Sequence, residues 1–140
     1  MALATTPQVT ATLNLSSPNL LNDSMALSVT NKLYKAGTAT SIDQTTGIAR
    51  KSFASVTDEN LFAAADYEDS KAHKIYIKNT SSNTSDFITL SISQGATSTN
   101  SEIGVLYGGD FAFIPWSGEN DIDISTNATI VVEYLLFHEG

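Results

Sequence analysis

Apolar and polar residues alternate along much of this chain, which is the pattern of β-strands with one buried face. The alternation is clear over residues 9–15, where Thr and Asn separate the apolar positions, and it returns over residues 25–29. β-Branched residues, which favour strands, are frequent in the chain. We predict a strand in each segment. Between residues 37 and 53 the alternation is weaker, so any strand there is expected to be short or at a sheet edge.

The strand pattern is strongest in the second half of the chain. Residues 73–78 and 88–92 alternate on either side of the polar segment 79–86, which predicts a hairpin with an exposed tip. Gly108 and Gly109 separate two further alternating segments. They fit a tight hairpin turn, because both central residues of a type I′ turn need a positive φ.

Other segments carry weaker structural signals. Residues 58–65 begin with acidic residues and continue with good helix formers, which suits a helical turn. Pro115 is expected at a strand end or a sheet edge because it cannot donate to a ladder. Trp116 is expected to act as a lid on the core. A short strand is predicted at residues 122–124, and residues 129–137 are apolar on both faces, so we predict a central strand covered on both sides.

Together these segments predict an all-β fold. About six to eight short strands joined by polar turns favour an antiparallel β-sandwich, jelly-roll or immunoglobulin-like, or a small barrel. No compositional linker divides the chain, so residues 9–140 are expected to form a single domain. Residues 1–8 have no periodicity and are expected to be an N-terminal arm.

The composition excludes several classes of protein. The chain has 140 residues, of which 41% are hydrophobic, and this is enough for one folded core. It has no cysteine, which excludes a disulfide framework and a thiolate metal site. The first basic residue is Lys32, and no apolar run approaches the roughly 20 residues of a membrane span. We therefore expect neither a signal peptide nor a membrane segment.

The net charge of −8 is distributed unevenly along the chain. Residues 1–78 hold 7 basic and 7 acidic residues, whereas residues 79–140 hold 8 acidic residues and no basic ones. An acidic surface repels phosphates, so we expect binding neither to nucleic acid nor to anionic membranes. Two interpretations stay open: acidic loops that keep the protein soluble, or an acidic face that docks on a basic partner.

The titratable residues do not form a recognisable catalytic pattern. The two histidines, His73 and His138, lie far apart in sequence and have no partner at metal-ligand spacing. There is no Gly-x-Ser-x-Gly elbow that would single out a nucleophilic serine. We therefore predict a non-enzymatic protein with no catalytic residues and no cofactor.

One oxygen-rich cluster is a weak candidate for a metal site. Glu119, Asp121 and Asp123 are close in sequence, and Asp121 and Asp123 would share one face of a strand. Calcium needs several such oxygens at one point, but the EF-hand pattern is absent and an outward strand face explains the two Asp residues equally well. These three residues are candidate ligands only, and no bound metal is predicted.

Several segments of the chain share their pattern with one family of proteins. They are KIYIKN (74–79), FITLSI (87–92), LYGGDFAFIPW (106–116), IDI (122–124), VVEY (131–134) and, less closely, TGIARK (46–51). The set resembles small β-sandwich virion proteins of tailed bacteriophages, particularly of marine and cyanobacterial phages. The resemblance covers about residues 73–138, and its motifs are strands and turns without catalytic residues.

The resemblance implies a non-enzymatic virion component that assembles with copies of itself and with a larger shell or tail. The first expectation is a capsid decoration or cement protein on the capsid exterior, a homo-oligomer such as a trimer that binds the major capsid protein. A second is a tail, neck, baseplate or fibre component. An alternative from another class is a carbohydrate- or calcium-binding β-sandwich module that recognises a host surface.

Overall fold

The computed structural model describes residues 8–19, 24–93 and 100–139. Within these ranges the chain is all-β, with eleven strands and one 3-10 turn. The predicted all-β class is therefore confirmed, although the described residues form eleven strands and not the six to eight that were expected. Of the expected N-terminal arm, residues 1–8, only Gln8 lies within the described ranges.

The chain divides into two compact units, residues 1–43 and 44–140, and each is described by itself. The sequence led us to expect one domain over residues 9–140, because no change in composition marks this boundary. The strands are β1 (Thr10–Ser17), β2 (Met25–Lys32), β3 (Gln44–Thr45), β4 (Ala49–Ala54), β5 (Glu59–Phe62), β6 (Ala72–Asn79), β7 (Phe87–Ser93), β8 (Asn100–Tyr107), β9 (Phe111–Pro115), β10 (Ile122–Thr126) and β11 (Thr129–His138).

The N-terminal unit is built on an antiparallel pair of strands, β1 and β2. The pairing is regular along both strands and places Leu13 opposite Val29. Both strands follow the alternation of the sequence, as predicted. After β2 the chain continues to two buried residues, Leu33 and Ile42, and the Ile42 N–H donates to the Leu33 carbonyl at 3.1 Å.

The C-terminal unit is an antiparallel sandwich of two open sheets. In the larger sheet, β11 pairs with β6 on one side and with β3 and β4 on the other, and β9 lies at the edge beyond β6. The smaller sheet has the order β5-β10-β7-β8. A small barrel is the alternative that the sequence allows, but neither sheet closes on itself. The apolar residues that the two sheets bury most completely are Ile75, Ile77, Ile130, Val132 and Leu136 from the larger sheet and Ile88, Ile122 and Ile124 from the smaller.

The predicted hairpin over residues 73–93 is wrong, although both of its strands exist. β6 belongs to the larger sheet and β7 to the smaller, so residues 80–86 cross between the sheets instead of turning within one. Asn79 stabilises the crossing, because its side-chain amide donates to the carbonyls of Asp86 at 3.1 Å and Leu106 at 3.0 Å. Alternation shows which face of a strand is buried but does not show which strand is its neighbour.

The predicted type I′ hairpin turn at Gly108 and Gly109 is also wrong. β8 and β9 lie in different sheets, and of these two glycines only Gly109 has a positive φ, at +92°. Gly108 is needed for another reason, since a Cβ there would lie 2.2 Å from the backbone oxygen of Asn83. The turn is closed by the Asp110 N–H, which donates to the Tyr107 carbonyl at 2.8 Å.

The expected helical turn over residues 58–65 is mostly a strand. β5 covers residues 59–62 and pairs with β10, and only residues 64–66 form a 3-10 turn. Pairing with β10 satisfies the backbone of this segment, so tertiary context overrides its local helix preference.

Two residues near the end of β9 lie where the sequence predicts them. Pro115 ends β9 at the edge of the larger sheet. Trp116 is buried in the core, where its ring centroid lies 5.7 Å from that of Phe62. Its indole N–H donates to the carbonyl of Asn120 at 2.8 Å, so the one polar atom of the ring is satisfied.

Candidate functional site

The outer face of the larger sheet carries aromatic and basic side chains in rows that cross its strands. Residues directly opposite each other in neighbouring strands share a face. The rows are Phe111, Lys78, Glu133 and Arg50; Phe113, Tyr76 and Leu135; and Pro115, Lys74, Phe137 and Thr45. We call this surface the aromatic–basic face.

Large apolar side chains on this face are open to solvent. Phe111 is 58% exposed and Phe113 is 40% exposed, and both lie on the edge strand β9. β11 is central, as predicted, but its outer side chains Leu135 and Phe137 are only half-buried, so the expectation that it is covered on both sides is wrong. Contiguous exposed apolar surface with polar neighbours is typical of an interaction site.

The aromatic–basic face is positively charged although the chain is acidic. Lys74, Lys78 and Arg50 lie on it with one carboxylate, that of Glu133, so three positive charges minus one negative charge leave +2. In the part of the chain that the structure describes, neither lysine lies within salt-bridge distance of a carboxylate. Their charges are therefore available to a partner.

Glu133 is engaged through both of its carboxylate oxygens. Arg50 donates to Oε2 from Nε at 2.7 Å and from Nη2 at 2.6 Å, and the Tyr76 hydroxyl donates to Oε1 at 2.9 Å. The hydrogen bonds from Arg50, and then from Tyr76, hold the pKa of Glu133 below its usual value. Burial, and then the hydrogen bond to Glu133, raise the pKa of Tyr76. The central acid of the face therefore stays ionised and neutralised, and it orders β4, β11 and β6 relative to one another.

The candidate metal ligands lie in and near β10, in the smaller sheet. Asp123 is 7% exposed, and its Oδ2 accepts a hydrogen bond from the Asn100 side chain at 2.8 Å. The Oδ1 of Asp121 accepts a hydrogen bond from the Ala64 N–H at 2.7 Å. Glu119 is exposed in the preceding turn, where its backbone N–H donates to the hydroxyl of Ser117 at 3.3 Å.

The pKa of the Asp123 carboxyl group is affected by several neighbouring groups. Burial raises its pKa, the hydrogen bond from Asn100 lowers it, and the charges of Asp121, Asp58 and Glu59 raise it further. Asp58 and Glu59 are distant in sequence and reach this place because β5 pairs with β10. Over the described ranges, no three His, Asp or Glu side chains are arranged to hold a metal ion.

The two histidines lie on different strands of the larger sheet. His73 is in β6, and His138 ends β11, where its ring centroid lies 5.3 Å from that of Tyr67. His138 and Tyr67 line a shallow depression of about 250 Å³ with Lys71 and Glu139, whose charged groups are 3.7 Å apart. This depression is smaller than the ~300–1,000 Å³ of most ligand pockets.

Comparison of this chain with the profiles of known families, with curated proteins and with solved structures found no match. None of the helical residues that the structure describes forms a helix long and apolar enough to span a membrane. The exposed aromatic residues beside the basic residues make the aromatic–basic face the candidate functional site of this chain.

Proposed function

We propose that this chain is a non-enzymatic structural protein of a virion, which binds an acidic protein surface through its aromatic–basic face. The observation that carries the proposal is the exposure of Phe111 and Phe113 beside the unpaired cations Lys74 and Lys78 in a chain of net charge −8. Solubility alone does not explain this arrangement.

The chemistry of the face suits binding to a protein. Aromatic residues are enriched in interface cores, and complementary charges steer and align the partner. The strands β9, β6, β11 and β4 are neighbours in one sheet, so the face spans about 15 Å across them at ~4.8 Å per strand. A sheet of this kind is preorganised, which lowers the entropy lost on binding.

The virion role rests on the resemblance of the strand and turn motifs. Its most specific form is a capsid decoration protein that binds the major capsid protein on the capsid exterior and assembles with copies of itself. The surface is rich in Ser, Thr and Asn and has few Lys, so little side-chain entropy is lost at repeated contacts. The face points to an acidic patch on the partner, instead of the basic partner that the charge of the chain suggested.

The test adds purified protein to undecorated capsids and measures binding and the temperature of capsid rupture. We expect saturable binding and a higher rupture temperature. Phe111→Ser and Lys78→Glu should each weaken binding at least tenfold. Matched controls are Ile103→Ser, because Ile103 is 48% exposed on β8 of the smaller sheet, and Lys32→Glu, which makes the same change of charge on β2. If the wild-type protein neither binds nor stabilises the capsid, the decoration role is wrong.

A tail component is the second form of the proposal, and copy number separates the two. Hundreds of copies in each particle indicate decoration, whereas six to a few dozen indicate a tail, neck, baseplate or fibre, as roughly expected from the symmetry of closed assemblies. A copy number in the lower range would indicate that the acidic partner is a protein of the tail and not of the capsid.

The alternative of a calcium- or carbohydrate-binding module is tested separately. It requires that calcium raise the melting temperature and that Asp121→Asn with Asp123→Asn abolish the increase. Asp121 and Asp123 already accept hydrogen bonds from Ala64 and Asn100, so we expect the melting temperature to be unchanged by calcium. A shift that only the double variant removes would favour the alternative.

A further inference from the structure

The β1–β2 pair of the N-terminal unit is an amphipathic ribbon. Leu13 lies opposite Val29 and Leu15 opposite Leu27, and Met25 continues the same side of β2. We call these five side chains the apolar hairpin face. Opposite residues share a face and alternate residues return to it, so the register itself collects them on one side.

The other side of the ribbon is polar and satisfies its own hydrogen bonds. The hydroxyls of Thr12 and Thr30 lie 3.1 Å apart across the two strands. The Ser28 hydroxyl donates to the side-chain oxygen of Asn14 at 2.7 Å. The ribbon therefore has one polar side and one apolar side.

All five side chains of the apolar hairpin face are exposed. Its exposed fractions are 42% for Leu13, 44% for Leu15, 43% for Met25, 46% for Leu27 and 51% for Val29. Within the described ranges β1 and β2 form a sheet with no third strand. Two strands alone are marginally stable in water, because a sheet needs an apolar face packed against something. The ribbon therefore requires a partner for this face.

The distribution of charge between the two units indicates what that partner is. Residues 1–43 contain two lysines and two aspartates, so their net charge is zero, and residues 44–140 contain five basic and thirteen acidic residues, which gives 5 − 13 = −8. In the described parts of the ribbon the one charged side chain is Lys32, at the end of β2. Copies of the chain therefore repel each other through residues 44–140 and not through the ribbon.

We propose that the apolar hairpin faces of neighbouring copies of this chain pack against each other. Each of the five side chains leaves roughly 80 Å² exposed, about 400 Å² in all, which is as large as the largest apolar patch of a typical monomer. Two faces together cover about 800 Å² from these side chains alone, and Ala11, Ser17 and Asn31 on the same side of the ribbon add to this, toward the roughly 1,200 Å² at which specific interfaces begin. The face is complementary to itself because its centre is apolar and it carries no charge, with only Ser17 and Asn31 as polar residues on the same side, whereas a charged partner would gain no ion pair there.

The first test measures the mass of the full chain in solution by light scattering or sedimentation. One copy has a mass of 14.9 kDa, and we expect the wild-type protein to have twice this mass or a higher multiple. Leu15→Lys with Leu27→Lys places two charges at opposite positions on the apolar face and should reduce the mass to that of one copy. The matched control is Ser16→Lys with Ala26→Lys, an opposite pair on the polar side of the same strands, which should keep the wild-type mass.

A second test does not depend on whether the lysine variant folds. The chain has no cysteine, so a single introduced thiol reports its own surroundings. Leu27→Cys should be joined between copies by a short bismaleimide at least fivefold more efficiently than Ala26→Cys, its neighbour on the polar side. A wild-type protein with the mass of one copy at every soluble concentration overturns the proposal, and so do equal yields for the two cysteine variants.

This inference names a surface for the self-assembly that is part of the proposed function, but it uses a different face from the one proposed to bind the acidic partner, and salt separates the two. Packing of apolar faces should persist at 1 M NaCl, whereas binding of an acidic surface by the aromatic–basic face should weaken, because the screening length falls from about 10 Å at 0.1 M to about 3 Å at 1 M. Lys78→Glu should reduce binding to capsids and leave the mass of the free protein unchanged.

Discussion

The hydroxyl of Tyr76 on β6 donates a hydrogen bond of 2.9 Å to the carboxylate of Glu133 on β11, in the middle of the aromatic–basic face. Arg50 on β4 holds the other carboxylate oxygen. Three strands are thus connected on the outer side of the sheet through one ionised acid. The connection makes the face a defined surface, and its strength depends on pH.

Glu133→Gln should flatten the dependence of stability on pH in the acid range. The folded pKa of Glu133 is below its unfolded value, so its contribution is present above the unfolded pKa, near 4.3, and is lost as pH falls through the folded pKa. The wild-type protein should therefore lose more stability than the variant between about pH 5 and pH 3. Denaturant unfolding at several pH values measures this.

Tyr76→Phe is the companion change, with Tyr107→Phe on the smaller sheet as its control. Without the tyrosine hydroxyl, the carboxyl pKa of Glu133 measured by NMR should rise toward its usual value. Arg50 still lowers it, so the rise should be partial. The two variants would contradict the assignment if they left the Glu133 titration equally unchanged.

Asn79→Ala should be among the most destabilising single changes in the chain. The side chain is fully buried, its amide donates to two carbonyls, and its oxygen accepts from the Ser81 N–H at 3.0 Å. Removing it leaves these groups unpaired at a crossing between the sheets, which costs about 3–5 kcal/mol. Asn14→Ala, at an exposed site on β1, should cost less than about 1 kcal/mol. Similar unfolding free energies for the two variants would contradict a structural role for Asn79.

Gly108→Ala should destabilise the protein by about 2–4 kcal/mol, because a Cβ at this position would overlap the backbone oxygen of Asn83. Gly104→Ala is the matched control, since a Cβ there meets nothing within 4 Å. It should change the unfolding free energy by no more than about 0.5 kcal/mol. If both substitutions are tolerated equally, the close approach of the two segments is not tight.

Gly108 and the pairing of the strands are two features that the sequence does not predict. The positions of most strands follow from alternation, and in the C-terminal unit so do the buried faces, because most strands there bury one side. Pairing does not follow, because β6 and β7, like β8 and β9, lie in opposite sheets although they are consecutive. The sequence predicts that Gly108 serves a turn through its backbone freedom, whereas its role is to let the backbone of Asn83 approach. This contact between separate segments has no local signature in the sequence.

The aromatic–basic face could not be predicted from the order of charges along the chain. Lys74 and Lys78 belong to the segment before the acidic half, but antiparallel pairing places them between β9 and β11, where they meet Phe111 and Phe137. Asp58 and Glu59 reach Asp123 in the same way. A face is assembled from several strands, so its charge depends on register, and register is fixed only in the folded sheet.

Asp123→Asn should stabilise the protein at neutral pH, with an effect that disappears in acid. Burial and neighbouring acids raise the folded pKa of Asp123 above its unfolded value, so the folded state binds the proton more tightly. The ionised carboxylate therefore penalises folding above the folded pKa, and the penalty is removed as pH falls below it toward the unfolded pKa. At pH 7 the variant should melt at a higher temperature than the wild-type protein, and the difference should disappear in acid.

The hydrogen bond from Asn100 opposes the effect of burial on Asp123, because it favours the charged form of the carboxyl group. An asparagine oxygen at position 123 can still accept from Asn100, so the substitution removes the charge and keeps the contact. Asn100→Ala should act in the opposite direction, since it leaves the buried carboxylate without its donor and raises the carboxyl pKa further. A protein destabilised by Asp123→Asn at pH 7 would show that the hydrogen bond to the carboxylate outweighs the cost of burying it.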